Sequence, residues 1–243
     1  MKALILAGGK GQRLYPFTAH LPKPLMPLGD MPILEIILRR LKVFGITDVI
    51  LAVNHLASLI EAYFTDGRRL GIRITYVREE VPLGTAGPIS LVEDFDGTML
   101  VMNGDILTDI DIDSFVSSHG ASGSVLSIGS FPDEIAVDAG VLDVGADGRV
   151  RTYREKPRIR HRISMGAYLV EPAVKQHLRP GMPADMPQLI EAAIGSGAVV
   201  TAFDHDGYWL DIGRPEDYAR AQASYDDISA GLLHRRKPAV ATA

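Results

Sequence analysis

Apolar and polar positions along the chain fall into two alternating periods. Ala3 to Ala7 is a short, wholly apolar run, Val49 to Val53 and Met99 to Met102 repeat it, and Ile72 to Val77, broken by Arg73 and Thr75, reads as a further strand. Runs of this length without polar interruption read as strands buried on both faces. Between them the spacing changes to that of a helix. Ile33, Ile36, Ile37, Leu41 and Phe44 follow Pro32 and stop at Gly45, and Leu56, Leu59, Ile60, Tyr63 and Phe64 stop at Asp66-Gly67. Such stripes are the buried faces of helices, with Pro near the start and Gly at the end. Strand, helix, strand, helix in that order predicts an α/β fold with a parallel sheet. Ala86 to Glu93 is expected to be a short helix.

From Val125 the pattern loosens. Val125 to Ile128 is a strand, and Gly140 to Val144 with Val150 to Arg154 reads as a hairpin across Asp147-Gly148. Ser164 to Val170, Val199 to Phe203 and Tyr208 to Leu210 are further strands. Met186 to Ile194 is a helix with Asp185 as its N-cap, and Pro215 to about Ile228 is the last helix. The basic run Arg158 to Arg162, with His161 inside it, is expected to be a mobile loop. One domain over residues 1–229 follows, with a first part to about 123, a second part from 124, and a frayed tail over 230–243.

Composition narrows the classes. A chain of 243 residues with 47% hydrophobic and 23% charged residues is long enough for one large core. A net charge of −5 excludes the basic surface that a general nucleic-acid binder needs. Cysteine is absent, which removes disulfides and thiolate metal sites. Met1-Lys2 leads straight into a strand, so a cytoplasmic protein without a membrane partner is expected. A homo-oligomer is compatible with everything read so far. No repeat of about 20–50 residues is present, and a single-function domain is expected.

The first strand opens into Gly8-Gly9-Lys10-Gly11-Gln12-Arg13-Leu14, followed by Leu21-Pro22-Lys23-Pro24. Glycines let the backbone turn and approach a ligand, and free amides with Lys10, Arg13 and Lys23 suit phosphate oxygens. The P-loop pattern fails because Gly11, not Ser or Thr, follows Lys10. The dinucleotide fingerprint fails because Leu14 stands where a small residue is needed. Asp105, in Asn103-Gly104-Asp105, and Asp211, in Leu210-Asp211-Ile212-Gly213, each follow a short apolar strand. Two carboxylates are what a hard cation such as Mg²⁺ takes beside phosphate oxygens. The serines Ser127 and Ser164 show no paired histidine or elbow motif, so acyl chemistry is not expected.

Gly-Gly-x-Gly-x-Arg-Leu followed by Pro-Lys-Pro resembles the signature of the sugar-phosphate nucleotidylyltransferases, and later motifs carry the resemblance from Met1 to about Ala223. It implies a three-layer Rossmann-like sandwich with a mixed, mostly parallel sheet. It also implies transfer of a nucleoside monophosphate from an NTP to a sugar 1-phosphate, giving an NDP-sugar and pyrophosphate with Mg²⁺ as cofactor. On this resemblance Arg13 and Lys23 are catalytic, Asp105 and Asp211 hold the metal, and Leu6, Ala7, Gly8, Gly9, Gly11, Gly84, Thr85, Asn103 and Gly104 bind nucleotide. Gly140 and the Glu155-Lys156-Pro157 motif would hold the sugar phosphate. Leu83-Gly84-Thr85-Ala86-Gly87 is similar to the guanylyltransferase branch acting on mannose and heptose 1-phosphates, which favours GTP. Use of dTTP or UTP, transfer to a non-sugar phosphate, and an inactive regulator stay open. The four charges Arg13, Lys23, Asp105 and Asp211 speak against the regulator.

Overall fold

The computed structural model describes residues 1–93 and 95–233. The predicted tail from residue 234 onward lies outside them. In chain order the elements are β1 (Lys2–Leu6), β2 (Pro27–Leu28), β3 (Met31–Pro32), α1 (Ile33–Val43), β4 (Asp48–Val53), α2 (Ala57–Phe64) and β5 (Arg73–Arg78). Then come β6 (Met99–Asn103), β7 (Ile106–Thr108), α3 (Ile112–Ser122), β8 (Leu126–Ala136), β9 (Val141–Val144), β10 (Val150–Arg154) and β11 (Arg158–Val170). α4 (Met186–Gly195), β12 (Val200–Asp204), β13 (Trp209–Asp211) and α5 (Pro215–Leu233) are the last elements among the described residues.

Seven strands form one sheet in the order β12-β8-β11-β6-β1-β4-β5. All neighbours are parallel except β11, which runs antiparallel to both β6 and β8. Successive side chains of a strand point to opposite faces, and the two cores divide accordingly. Ala3, Ile5 and Leu51 pack with residues of α1, α2, α3 and α5, whereas Leu4, Ile50 and Ala52 pack with α4 and the turns around Ile89 and Val174. The sheet is therefore covered on both sides, as the apolar runs require. One sheet also serves both halves of the chain, because β11, from the second half, pairs directly with β6, from the first.

Three expectations change. The short helix expected over Ala86 to Glu93 is a 3-10 helix and covers only residues 87–91. α5 runs to Leu233, beyond the expected end near Ile228. Arg158 to Arg162 is strand, paired residue by residue with 132–136 of β8. The charges that made it look like a loop are neutralised across the pair: Arg158 and Arg160 both reach Glu134, and His161 Nε2 lies 3.3 Å from Asp133. Among the described residues no helix is long and apolar enough to cross a membrane.

Inside the helical layer the Glu35 side chain of α1 is buried, and it is fully used. Arg39 and Arg69 donate to its two oxygens at 2.6 and 2.9 Å, and the Tyr63 hydroxyl donates at 3.0 Å. Burial alone would push its carboxyl up, yet these three donors outweigh burial and hold it below the ordinary value. A depressed carboxylate stabilises the fold above the unfolded-state value and loses that contribution as pH falls through the folded one. Glu35→Gln should accordingly cost about 1–3 kcal/mol at pH 7. Urea unfolding should show the gap from the wild type closing in acid; a gap equal at pH 7 and pH 4 would remove the ionised carboxylate as its cause.

Candidate active site

The loops that follow β1, β4, β5 and β6 gather at one edge of the sheet, where ligands bind in open α/β folds. β1 ends at Leu6, and Ala7 N still donates to Ala52 O at 2.8 Å. The chain then leaves the sheet under two constraints. A Cβ on Gly8 would come within 2.9 Å of Glu79 Oε1 and 3.2 Å of the Asn54 backbone. Gly11 sits at φ +61, its carbonyl accepts the Thr18 hydroxyl at 2.8 Å, and it begins the turn Gln12–Leu14. Only glycine meets both demands without strain. Leu14 anchors this turn in the core, and Arg13 and Lys10 are left exposed.

Four charges meet beside this loop. Lys23 lies in the turn Lys23–Leu25 and is buried, and its ammonium forms an ion pair with Asp105. Asp105 is brought in by Gly104, whose N–H donates to Leu6 O at 2.9 Å, so close that a Cβ there would touch that oxygen. Asp211 arrives from the far end of the sequence. It is the last residue of β13, which pairs antiparallel with β7 so that Asp211 stands opposite Ile106, and Ile212 N donates to Asp105 O at 3.1 Å. Burial pushes the Asp211 carboxyl up, Asp105 adds to the effect, and Lys23 and Arg13 oppose it. The Arg13 guanidinium lies 3.4–3.5 Å from where a Cβ on Gly213 would stand. Two carboxylates and two cations thus share one field. Asn103, the last residue of β6, packs against Gly166 of β11, at φ +73 in a bulge between Ser164 and Tyr168.

The 83–87 loop is held by residues 184–186. Gly84, at φ +75, leaves no room for a Cβ against Ala184 O and Asp185 Oδ1. Thr85 does not cap the turn that follows it. Its hydroxyl accepts from Met186 N at 2.7 Å, at the start of α4, and its own N–H donates to Asp185 Oδ1 at 3.2 Å.

Gly140, Glu155 and Lys156 lie on a ribbon of paired strands from the second half of the chain. β8 with β9 runs outward and β10 with β11 runs back, with a break at residues 137–140 and 155–157. All three residues sit at that break. Gly140 packs against the Tyr153 ring, whose hydroxyl donates to the Glu155 carboxylate. Lys156 adopts φ +40 and pairs with Asp138 at 2.7 Å.

Two features escape a reading by motif. Glu79 ends the β5 segment next to the glycine loop, with Oε2 accepting Leu83 N at 2.7 Å and Oε1 toward Gly8. Burial pushes its carboxyl up, and the Leu83 amide partly restrains it. An acidic residue just before Pro82-Leu83-Gly84 was the available signal. Ser127 does have a histidine partner, His119 Nδ1 at 2.7 Å, contrary to expectation. Both are buried in a network with Ser124, Thr201 and Glu171, so the pair is a structural bridge closed to substrate.

The family model for nucleotidyl transferases matches residues 2–228. A UTP–glucose-1-phosphate uridylyltransferase of Synechocystis is 34% identical over 91% of the chain. A mannose-1-phosphate guanyltransferase of Schizosaccharomyces pombe is 31% identical over 99% of it. The chain spans 62% and 67% of the length of these two relatives. Among solved structures, HddC from Yersinia pseudotuberculosis complexed with GMP-PN superposes with a TM-score of 0.70 at 25% identity, covering 92% of this chain and 99% of that one.

Proposed function

Because the chain belongs to the nucleotidyl transferase family, we propose that it transfers the nucleoside monophosphate of GTP to a sugar 1-phosphate, releasing pyrophosphate. The observation that carries this reading is the convergence of Arg13, Lys23, Asp105 and Asp211 beside the glycine loop. Both substrates are polyanions, so their approach needs cations fixed in advance.

An oxygen of the sugar phosphate forms a bond to the α-phosphorus of the NTP as the bond to the bridging oxygen of pyrophosphate breaks. Arg13 can fork onto the β- and γ-phosphates, and Lys23 presents a point charge to the α-phosphate. Lys156 neutralises the attacking phosphate, and Glu155 accepts hydroxyl hydrogens of the sugar near Gly140. Asp105 and Asp211 fit a divalent cation, Mg²⁺, since a buried carboxylate raised by its neighbour is relieved by a hard cation. When bound, that ion offsets phosphate charge.

Glu79 supports guanine as the base. Its Oε2 accepts Leu83 N while Oε1 faces Gly8, and a carboxylate there can accept from guanine, which presents adjacent N1–H and N2–H donors where uracil and thymine present one N–H between two carbonyls. A wrong base would leave buried groups unpaired. GTP should lead dTTP, UTP, CTP and ATP by at least about tenfold in kcat/KM, and Glu79→Gln should collapse most of that lead. Pyrophosphate release with GTP and a panel of sugar 1-phosphates tests both points. No release with any pair would reject the activity, and an intact preference in Glu79→Gln would reject the role of Glu79.

A further inference from the structure

The 83–87 loop is glycine-rich, and such a loop reads a base through its backbone only when that backbone is held before the ligand arrives. Apart from Leu83 N, which Glu79 holds, its restraints come from the other half of the chain. Ala86 N and Gly87 N both donate to Ala184 O at 2.9 and 3.0 Å, and Ala184 N donates to Leu83 O at 2.9 Å. Side chains finish the joint reciprocally. Asp185 Oδ1 accepts Thr85 N, and Thr85 Oγ1 accepts Met186 N. Asp185 is itself fixed by a capping box at the N-terminus of α4, where Gln188 Oε1 accepts Asp185 N at 2.9 Å. Gly84 and Gly87 are packed so tightly on this segment that a Cβ on either would lie under 3.0 Å from its atoms.

We propose that Asp185 is a positioning residue for nucleotide selection: it touches no substrate, and it holds the base loop in the conformation that binds. The inference rests on the reading of residues 83–87 as the base loop of a nucleotidyl transferase. Loss of Asp185 removes one acceptor from the loop and one cap from α4. An ordinary cap lowers stability alone; a loss of positioning also lowers affinity for the nucleotide while leaving the ribbon of residues 137–157 unaffected.

The test is calorimetric titration of the full chain with Mg²⁺-GTP, with thermal unfolding in parallel and the KM for sugar 1-phosphate from pyrophosphate release. Asp185→Ala should raise the GTP Kd by about tenfold and leave the sugar-phosphate KM within about twofold. Asp185→Asn, which keeps an oxygen for Thr85 N, should stay close to wild type. Gln188→Ala, which removes the side-chain acceptor that fixes Asp185 N and touches no residue of the loop, should raise the GTP Kd in the same direction if Asp185→Ala does not fold. A lowered unfolding temperature with unchanged GTP Kd in both variants would overturn the inference. Failure of the wild type itself to bind GTP would instead remove the reading on which it rests.

Discussion

Asp211→Ala is expected to reduce turnover by at least about a hundredfold while the protein stays folded. The residue closes a two-stranded pairing through its backbone, which alanine preserves, so the change removes the carboxylate and little else. Asp105→Ala should be equally inactive and also less stable. It strips the partner from a buried ammonium, Lys23, and an unpaired buried charge costs about 3–5 kcal/mol. The two variants therefore separate the carboxylate's part in turnover from its part in the fold. Chelation with EDTA should reproduce the Asp211→Ala loss and be reversed by Mg²⁺. Turnover near wild type in Asp211→Ala at saturating Mg²⁺, with an unchanged circular dichroism spectrum, would take Asp211 out of the metal site.

Lys23→Ala and Arg13→Ala should divide kinetically. A charge used where negative charge builds up in the transition state costs kcat, whereas a grip made equally on bound substrate costs mainly KM. The buried Lys23 is held in one place by Asp105, and Arg13 is an exposed side chain at a loop tip. Lys23→Ala is expected to lower kcat by about a hundredfold. Arg13→Ala should act chiefly on the KM for GTP. Initial rates over a matrix of both substrates decide this; a Lys23→Ala variant altered only in nucleotide KM would contradict its place at the α-phosphate.

The buried strands were legible because a strand covered on both faces has no polar option. β1, β4 and β6 each fall within about one residue of their apolar runs, whereas the edge strand β5 keeps Arg73, Thr75 and Arg78 among its apolar residues. α3 was not seen, although its punctuation was there: Asp111 accepts Ser114 N at 3.0 Å and Gly123 ends the helix at φ +62. Its Ser, His and Gly content hid the apolar stripe. The outer part of β11 was missed for another reason. Arg158, Arg160 and Arg162 become strand residues only when Glu134 and Asp204 stand across from them, and one strand cannot announce its neighbour's charges.

The same limit applies at the site. Gly8, Gly11 and Asp105 are marked by local motifs, because their chemistry follows from the turn they make. Glu79 and Asp185 owe their places to segments that meet only after folding. Thr85 illustrates the difference: its hydroxyl caps a helix 101 residues further along the chain.

The pairing of β13 with β7 has a consequence for the order of events during synthesis. The glycine loop, Arg13, Lys23 and Asp105 all lie in the first half of the chain, and their strands can pair as soon as β4 and β6 have emerged. The second carboxylate cannot join them until β13 is made, and Tyr208 N, at that junction, reaches back across 99 residues to Asp109 Oδ1. Contacts of such long range form late, because the entropy of closing the loop must be met before the contact contributes. A nascent chain should thus bring the glycine loop, Lys23 and Asp105 together well before it can turn over nucleotide, and catalytic competence appears only once β13 has joined them.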